Sequence, residues 1–261
     1  MTARPTAPPS PSTPAGQSLA AMPCYTSFCG RVTLYLGDCL TIAPTLQGVD
    51  AVVSDPPYGM GYKRSGNSRN SISSTGKVWT ETIEGDDVPF DPSPWVKWPA
   101  VMTGAQWFYD RLPAGGVIHT WDKRGPYEAI DQADVDQIWC SLRKPARKLE
   151  CVWRGLCRKT EVSEPIVHTT QKPVMVMAWM MERLEVAAGA LVLDPYMGSG
   201  TTGLAAIRTG RRFVGIEKDP THYATALKRI TDELAQGDLF HGCNNKFADA
   251  ERSAQRSVQK I

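Results

Sequence analysis

Long hydrophobic runs are absent from this sequence of 261 residues. The longest apolar stretch, VMVMAWMM at 174–181, is much shorter than the roughly 18 residues that a membrane-spanning helix needs. Residues 1–20 are rich in Pro, Ser, Thr and Ala and lack a continuous apolar core, so we do not expect a secretory signal. These absences predict a cytoplasmic protein with no membrane partner.

Paired cysteines and metal-ligand spacings are also absent. The seven Cys residues include no C-x-x-C pair, and no Cys/His spacing suits zinc. We therefore expect reduced thiols and no metal site. The net charge of +2 is too small to indicate a nucleic-acid partner by itself, so any such indication must come from local clusters.

The composition is that of a globular domain with polar ends. Hydrophobic residues make up 42% of the chain and charged residues 21%. Residues 1–23 predict a disordered Pro/Ser/Thr-rich tail, residues 24–240 a single domain, and residues 241–261 a polar C-terminal tail.

Apolar runs alternate with helical periodicity along the predicted domain. The runs predict strands within 31–38, 50–55, 115–122, 150–155, 190–198 and 212–219. The periodicity predicts helices at 98–112, after Pro173, at 199–210 and at 221–235. In the first of these helices, Trp98, Val101, Met102, Ala105 and Phe108 would share a face. Such alternation predicts an α/β fold with a doubly wound, mostly parallel sheet and helices on both faces.

Acidic residues stand at the ends of four predicted strands. They are Asp38, Asp55, Asp194 and Glu217. Because ligands of open α/β sheets bind at the carboxyl ends of the strands, these four acids predict a site rather than unrelated surface charges.

The segment LDPYMGSGTTG contains a glycine-rich turn between a predicted strand and a predicted helix. Gly198, Gly200 and Gly203 fit the pattern G-x-G-x-x-G, and Glu217 follows at the distance of a ribose-binding acid. The pattern suits a nicotinamide enzyme, an S-adenosylmethionine enzyme or a tightly packed turn. Asp194 favours the second, since it would repel a pyrophosphate but attract the ammonium group of a methionine moiety.

The segment AVVSDPPYG joins an acid, two prolines and an aromatic ring directly after a strand. An exocyclic amino group of a nucleobase is a poor nucleophile because its lone pair is delocalised. Asp55 and the Pro56 carbonyl could accept its two N–H groups, the prolines would hold these acceptors in place, and Tyr58 could stack on the base. A base inside a duplex would have to be flipped out to reach them. A polar turn after a buried strand is the alternative.

Taken together, the motifs resemble the amino-group DNA methyltransferases of the permuted β class. In that family D-P-P-Y precedes the glycine turn, as Asp55 to Tyr58 precedes 194–200 here. HTTQKP at 168–173 resembles the family's H-P-T-Q-K-P, with Thr169 in place of Pro, and GDCL at 37–40 resembles its adenine-side segment. The resemblance covers about residues 31–235 and implies a Rossmann-like methyltransferase fold that binds S-adenosylmethionine.

The resemblance also implies a role for each matching residue. The implied catalytic residues are Asp55, Pro56, Pro57 and Tyr58. The implied S-adenosylmethionine-binding residues are Asp38, Cys39, Asp55, Lys172, Asp194, Tyr196, Gly198, Ser199, Gly200, Thr201 and Glu217. Lys172 is expected to reach the cofactor carboxylate. D-P-P-Y usually accompanies methylation of adenine N6, whereas cytosine N4 uses the same geometry.

Double-stranded DNA is the partner that the resemblance implies, and two basic segments could contact it. Residues 61–77 carry four Lys/Arg and no acid, and residues 143–159 carry seven against one acid. The predicted DNA-contacting residues are Lys63, Arg64, Arg69, Lys77, Arg143, Lys144, Arg147, Lys148, Arg154, Arg158 and Lys159. A solvated surface is the alternative for both segments. The acidic segment 81–91 is expected to lie away from DNA or to pack on a basic part of the chain.

The long recognition region of larger family members is missing. Only 15 residues, 155–169, separate the second basic strand from the Q-K-P segment. Recognition would then fall to the loop 59–95, to the gap itself or to a second subunit, which motivates the hypothesis of a homodimer on a short, near-palindromic site. No nuclease motif is visible, so we expect a solitary modification enzyme. A nicotinamide-dependent oxidoreductase and a catalytically inactive DNA-binding regulator are the alternatives from other functional classes.

Overall fold

The structure is a computed structural model. It describes residues 24–61, 85–128, 133–154, 157–158, 160–161 and 171–240. Both predicted tails lie outside the described residues, as do most of the first basic segment and the residues directly before the Q-K-P segment.

Strands of the described residues form one large sheet and one small hairpin. The strands are β1 (Cys24–Thr26), β2 (Val32–Leu36), β3 (Ala51–Ser54), β4 (Ala100–Thr103), β5 (Val117–Asp122), β6 (Val135–Cys140), β7 (Lys148–Glu150), β8 (Trp153–Arg154), β9 (Cys157–Arg158), β10 (Leu191–Asp194) and β11 (Arg212–Glu217). The large sheet has the order β1-β2-β11-β10-β3-β4-β6-β5-β7, and β8 pairs with β9 separately. Its centre, β2-β11-β10-β3-β4, is parallel throughout, while β1 and β6 pair antiparallel to their neighbours. The predicted α/β class with a mostly parallel sheet is confirmed.

Both faces of the sheet are covered, but by different kinds of structure. The helices are α1 (Cys39–Ile42), α2 (Val174–Arg183), α3 (Thr201–Arg208) and α4 (Pro220–Phe240). One hydrophobic core contains side chains of α2, α3 and α4, such as Met177, Leu204 and Ile230. The other core contains side chains of α1 and of loops, such as Phe90 and Trp95. In the described part of the chain, the second face is therefore covered by the short helix α1, by 3₁₀ turns and by loop side chains.

The apolar run 174–181 forms most of α2, as predicted. Val176, Met177, Met180 and Met181 are almost completely buried against the sheet, which explains the run without a membrane. Among the residues that the structure describes, no helix is both long enough and apolar enough to cross a bilayer.

The predicted helix at 98–112 is wrong. Its middle forms β4 (Ala100–Thr103), which lies between β3 and β6, and two turns of 3₁₀ helix follow at Ala105–Trp107 and Tyr109–Arg111. Val101 packs in one core and Met102 in the other, so they do not share a face. A strand buried on both faces is continuously apolar, and over four residues this pattern cannot be distinguished from a buried helix.

Besides β4, three strands were not predicted, and one predicted strand is divided. β1, β6 and β9 lie in segments for which the sequence predicts no strand, and β6 alternates exposed and buried residues only in its first half. The predicted strand at 150–155 corresponds to the end of β7, which pairs with β5, and to β8 of the separate hairpin.

Gly203 lies where α3 packs against β11 and α4. A Cβ atom at this position would lie 2.7 Å from Cδ1 of Ile230 and 2.9 Å from Cε1 of Phe213. Carbon atoms do not approach this closely without displacement, so the third glycine of the G-x-G-x-x-G pattern permits the close contact of helix and strand. This contact determines where α3 begins relative to the end of β10.

We predict that Gly203→Val lowers the free energy of unfolding by about 1–3 kcal/mol because it overpacks this contact, with a smaller effect for Gly203→Ala. Urea denaturation measures both. Ala224→Val, at an exposed position of α4, is the control and should cost only a few tenths of a kcal/mol of helix propensity. An unchanged unfolding midpoint for Gly203→Val would contradict the assigned packing role.

Candidate functional site

The four predicted acids lie at one edge of the sheet. Asp38 follows β2, Glu217 ends β11, Asp194 ends β10 and Asp55 directly follows β3. These four strands are consecutive neighbours and parallel, so their carboxyl ends meet. The prediction that the acids share one edge is confirmed.

Asp55 receives three hydrogen bonds from three separate parts of the chain. Its Oδ1 accepts from the Tyr58 hydroxyl at 2.7 Å and from the Thr103 hydroxyl at 2.5 Å. Its Oδ2 accepts from Nζ of Lys172 at 2.7 Å, and the side chains of Lys172 and Asp55 are 11% and 23% exposed. The two hydroxyl groups and the Lys172 ammonium group together hold the Asp55 carboxylate in one orientation.

Thr103 was not identified from the sequence. It is completely buried at the carboxyl end of β4, and its hydroxyl lies between Asp55 and the Tyr58 hydroxyl, 3.1 Å from the latter. A correct strand prediction at 100–103 would have placed it beside Asp55, because β4 pairs in parallel with β3.

The ring of Tyr58 packs against the backbone at Gly104. A Cβ atom at Gly104, which has φ of 74°, would lie 2.0 Å from Cε1 of Tyr58. Nζ of Lys172 lies 5.3 Å from the centre of the same ring. Burial and the charge of Asp55 raise the pKa of Tyr58 well above its usual value, so the hydroxyl stays protonated and remains a donor.

Pro56 and Pro57 connect Asp55 to Tyr58, as the motif requires. Pro56 is buried, and Pro57 is half-buried and faces Gly85, where a Cβ atom would lie 3.8 Å from Cγ of the proline. The rigid pair therefore joins the end of β3 to the loop that holds Tyr58.

Asp194 is buried and bonded entirely to groups of this chain. Its Oδ1 accepts from the Ser54 hydroxyl at 2.7 Å and from the backbone N–H of Tyr196 at 3.1 Å, and its Oδ2 accepts from the Thr202 hydroxyl at 2.5 Å. Burial raises the pKa of Asp194 to about 6 despite these donors. The carboxylate therefore joins β3, β10 and the start of α3.

The glycine turn is held by Glu217 on one side and by Arg229 on the other. The backbone N–H of Gly198 donates to Oε2 of Glu217 at 2.8 Å, while Oε1 accepts from the N–H groups of Lys218 and Asp219. Nη1 of Arg229, on α4, donates to the carbonyl of Ser199 at 2.7 Å and lies 3.4 Å from the Thr201 hydroxyl. Gly200 has φ of 83° and a Cβ there would meet Ala226 at 3.1 Å, so the turn needs glycine.

Cys39, at the start of α1, lies beside Tyr196, which precedes the glycine turn. Burial raises the pKa of the Cys39 thiol to about 11, and burial together with the neighbouring Cys39 raises the pKa of Tyr196 well above its usual value. The Tyr196 ring makes edge contacts with Phe90 and Trp95 at centroid distances of 5.8 and 5.6 Å. Asp38 caps the first turn of α1 through the N–H of Leu40. The sequence did not identify Phe90 or Trp95 as neighbours of this region.

The structure separates the second basic segment into two parts. Arg143 and Lys144 lie in the loop between β6 and β7, near the amino ends of β4 and β5 and so at the edge opposite to Asp55. Arg147 lies beside His119 and Thr120, in the middle of β5. The structure therefore does not bring Arg143 and Lys144 to the Asp55 edge. The reason is that β6 runs antiparallel to β4 and β5, and the amino-acid composition does not reveal the direction of a strand.

The remaining basic residues have local partners or lie outside the described part. Lys144 pairs with Glu185, Lys148 pairs with Asp122 at 2.8 Å, and the Arg158 guanidinium lies 5.3 Å from the Trp153 ring. The predicted contacts that fall outside the described residues are Lys63, Arg64, Arg69, Lys77, Lys159 and the side chain of Arg154.

We predict that Asp194 makes stability depend on pH. The folded protein holds a proton on Asp194 below about pH 6, whereas the unfolded chain does so only below 3.8. The stabilisation that this protonation gives to the folded protein is therefore fully present below pH 3.8 and is lost as the pH rises through about 6. Relative to Asp194→Asn, the wild type should gain about 1 kcal/mol of unfolding free energy between pH 7 and pH 5. Urea titrations of both proteins at the two pH values measure the difference, and parallel pH profiles would contradict it.

Comparison with known proteins gives one matching family. Residues 119–228 match the N6/N4 methyltransferase family, described as DNA methylase. A segment of 90 residues is 38% identical to the type II methyltransferase M2.DpnII of Streptococcus pneumoniae, and covers 33% of this chain and 32% of that protein. A segment of 94 residues is 34% identical to the type II methyltransferase M2.LlaDCHI of Lactococcus lactis subsp. cremoris, and covers 35% and 34%. The match spans about a third of the length of each of these relatives.

Longer matches have lower identity. The YubD protein of Escherichia coli (strain K12) is 25% identical over 210 residues, which cover 74% of this chain and 88% of that protein. Among solved structures, PvuII DNA methyltransferase (cytosine-N4-specific) aligns with a TM-score of 0.49 and 18% identity over 80% of this chain and 92% of that chain. Over residues 119–228, this chain is thus similar to DNA methylases of the N6/N4 class.

Proposed function

We propose that this protein is an S-adenosylmethionine-dependent DNA methyltransferase that methylates N6 of an adenine flipped out of double-stranded DNA. One observation carries the proposal: the Asp55 segment and the glycine turn follow adjacent parallel strands and are joined by the 2.7 Å bond from Ser54 to Asp194. A ligand on the turn would therefore lie beside Asp55. The similarity of residues 119–228 to DNA methylases supports the same class.

The cofactor would occupy the carboxyl edge between β2 and β10. Glu217 would accept the ribose hydroxyls in addition to the backbone N–H groups that its oxygens already accept, and Asp38 and Cys39 would border the adenine. The turn 198–200 would lie beside the methionine part. Because both Asp194 oxygens are bonded within the chain, we assign Asp194 to shaping the turn, in addition to its negative potential near the ammonium group.

The chemistry is a displacement at the methyl group. Bound S-adenosylmethionine would supply the methyl group, which the amine nitrogen would take as the carbon–sulfur bond broke and the sulfur left as a neutral thioether. Asp55 would accept the proton that the methylated nitrogen releases. Asp55 and the Pro56 carbonyl would orient the amine so that its lone pair faces the methyl group, and such positioning supplies much of the rate.

Binding of the target base requires Asp55 to exchange partners. The amine would replace the Tyr58 and Thr103 hydroxyls at Oδ1, while Lys172 keeps its contact with Oδ2. Tyr58, released from Asp55, could then stack on the base. A neutral phenol suits this step, since the raised pKa of Tyr58 avoids a second negative charge beside Asp55.

The order of the motifs supports membership of the permuted β class, because the Asp55 segment precedes the glycine turn. Within that class, Asp-Pro-Pro-Tyr favours adenine over cytosine. We predict that purified protein, S-adenosylmethionine and unmethylated DNA yield N6-methyl-2′-deoxyadenosine on nucleoside digestion and mass spectrometry, and that Asp55→Ala abolishes it. N4-methylcytosine would overturn the base assignment but keep the class. Cofactor binding without any methylated nucleoside would favour an inactive regulator, and binding of NADH instead would favour an oxidoreductase.

Lys172 offers a sharper prediction. The resemblance implies contact with the cofactor carboxylate, whereas its ammonium lies 2.7 Å from Asp55 here. If it acts on Asp55, Lys172→Met should lower kcat by about 10- to 100-fold because an orienting donor is lost, with S-adenosylmethionine affinity nearly unchanged. Calorimetric cofactor titration and single-turnover kinetics separate the two roles. Lys228→Met, which removes an exposed Lys paired with Asp232 on α4, is the control. A loss confined to cofactor affinity would instead support the carboxylate contact.

A further inference from the structure

Asp86 holds the backbone of the loop that carries Tyr58. Its Oδ1 accepts hydrogen bonds from three consecutive N–H groups, those of Tyr58 at 3.0 Å, Gly59 at 2.9 Å and Met60 at 3.3 Å. Its backbone carbonyl accepts from the N–H of Gly61 at 2.6 Å. One residue therefore contacts four successive residues directly after Pro57.

Asp86 is buried, so its contact with the Tyr58 loop is not a surface interaction. The residue is only 2% exposed, although it lies in an acidic stretch of the sequence. Burying a carboxylate is costly unless donors surround it, and the successive N–H groups of the loop provide such donors. The adjacent Asp87 is exposed, so the two acids have different environments.

Gly59 makes this close approach possible. Its φ of 74° turns the N–H groups of the loop toward Asp86, and a Cβ atom at Gly59 would lie 2.5 Å from the Val88 carbonyl oxygen and 2.6 Å from Cα of Pro89. Residues 86–89 and 58–61 thus pack backbone against backbone. Asp86, within the acidic segment 81–91, therefore packs on the loop that carries Tyr58, and the expectation that this segment lies away from DNA stays a prediction.

We propose that Asp86 is a positioning residue that holds Tyr58 over Asp55. The three amides that it accepts determine where the Tyr58 backbone lies, and Gly104 limits where the ring can go. Without Asp86, the Tyr58 ring would lose its fixed position next to Asp55, where the target base would stack. The effect on catalysis rests on the proposed methyl transfer, whereas the effect on the loop does not.

Hydrogen–deuterium exchange of the full-length protein tests the loop independently of activity. In Asp86→Ala, the amides of Tyr58, Gly59 and Met60 should exchange about 10-fold faster or more, because they lose an acceptor that is charged. Asp86→Asn should restore most of the protection, since one amide oxygen can replace Oδ1. Asp87→Ala is the matched control and should leave the exchange unchanged.

Turnover tests the catalytic consequence. Asp86→Ala should lower kcat for DNA methylation by about 10- to 100-fold with S-adenosylmethionine affinity unchanged, because the contacts described above join Asp86 to residues 58–61 rather than to the glycine turn. Asp86→Asn should recover part of the loss. Gly59→Ala disturbs the same contact from the other side and should give the same pattern. It serves in place of Asp86→Ala if that variant does not fold.

The outcomes separate the two proposals. If the wild type methylates no DNA, the proposed function fails, and the exchange experiment still decides the role of Asp86. Unchanged exchange at 58–60 in both Asp86→Ala and Gly59→Ala overturns the positioning role. Equal effects of Asp86→Ala and Asp87→Ala would also overturn the positioning role. Faster amide exchange in Asp86→Ala with the kcat of the wild type would overturn it as well.

Discussion

The hydrogen bond from Ser54 to Asp194 joins the two segments on which the site depends. It forms because β3 and β10 are parallel neighbours, with Val192 opposite Ala51 and Leu193 opposite Val52, so both strands end at the same level. Burial of the Asp194 carboxylate is unfavourable, and its raised pKa reflects the part of that cost that its donors do not offset. The acid after β3 and the turn after β10 are thereby held in one relative position.

Asp55 depends on a wider part of the fold than Asp194 does. Its donors are 3, 48 and 117 residues away in sequence, in its own loop, at the end of β4 and before α2. Each donor lies on a different element, so the orientation of this carboxylate requires the Tyr58 loop, the end of β4 and the segment before α2 to be in place. The carboxylate is ordered before any ligand arrives, but its Oδ1 is occupied by hydroxyls that a substrate amine would replace. Weak, neutral donors suit such an exchange better than a second cation would.

Tyr58 is restrained from two directions. Asp86 holds its backbone, while the absence of a side chain at Gly104 provides the space for its ring. Neither restraint comes from the Asp-Pro-Pro-Tyr motif itself, whose prolines constrain only the backbone torsions before Tyr58. The motif therefore supplies the chemical groups, and segments around 86 and 104 supply the position of the ring.

Local pattern determined much of this protein. The strands at β2, β3, β5, β10 and β11, the helix after Pro173 and the four acids at one edge follow from short apolar runs that end in Asp, Gly or Pro, and such signals need no distant partner. Only the tertiary structure decided that 100–103 is a strand, because burial on both faces removes periodicity. It alone assigned Lys172 and Thr103 to Asp55, Asp86 to the Tyr58 loop, and Arg143 to the opposite edge. These contacts join residues far apart in sequence, and their geometry depends on strand order and direction, which no local pattern of residues specifies.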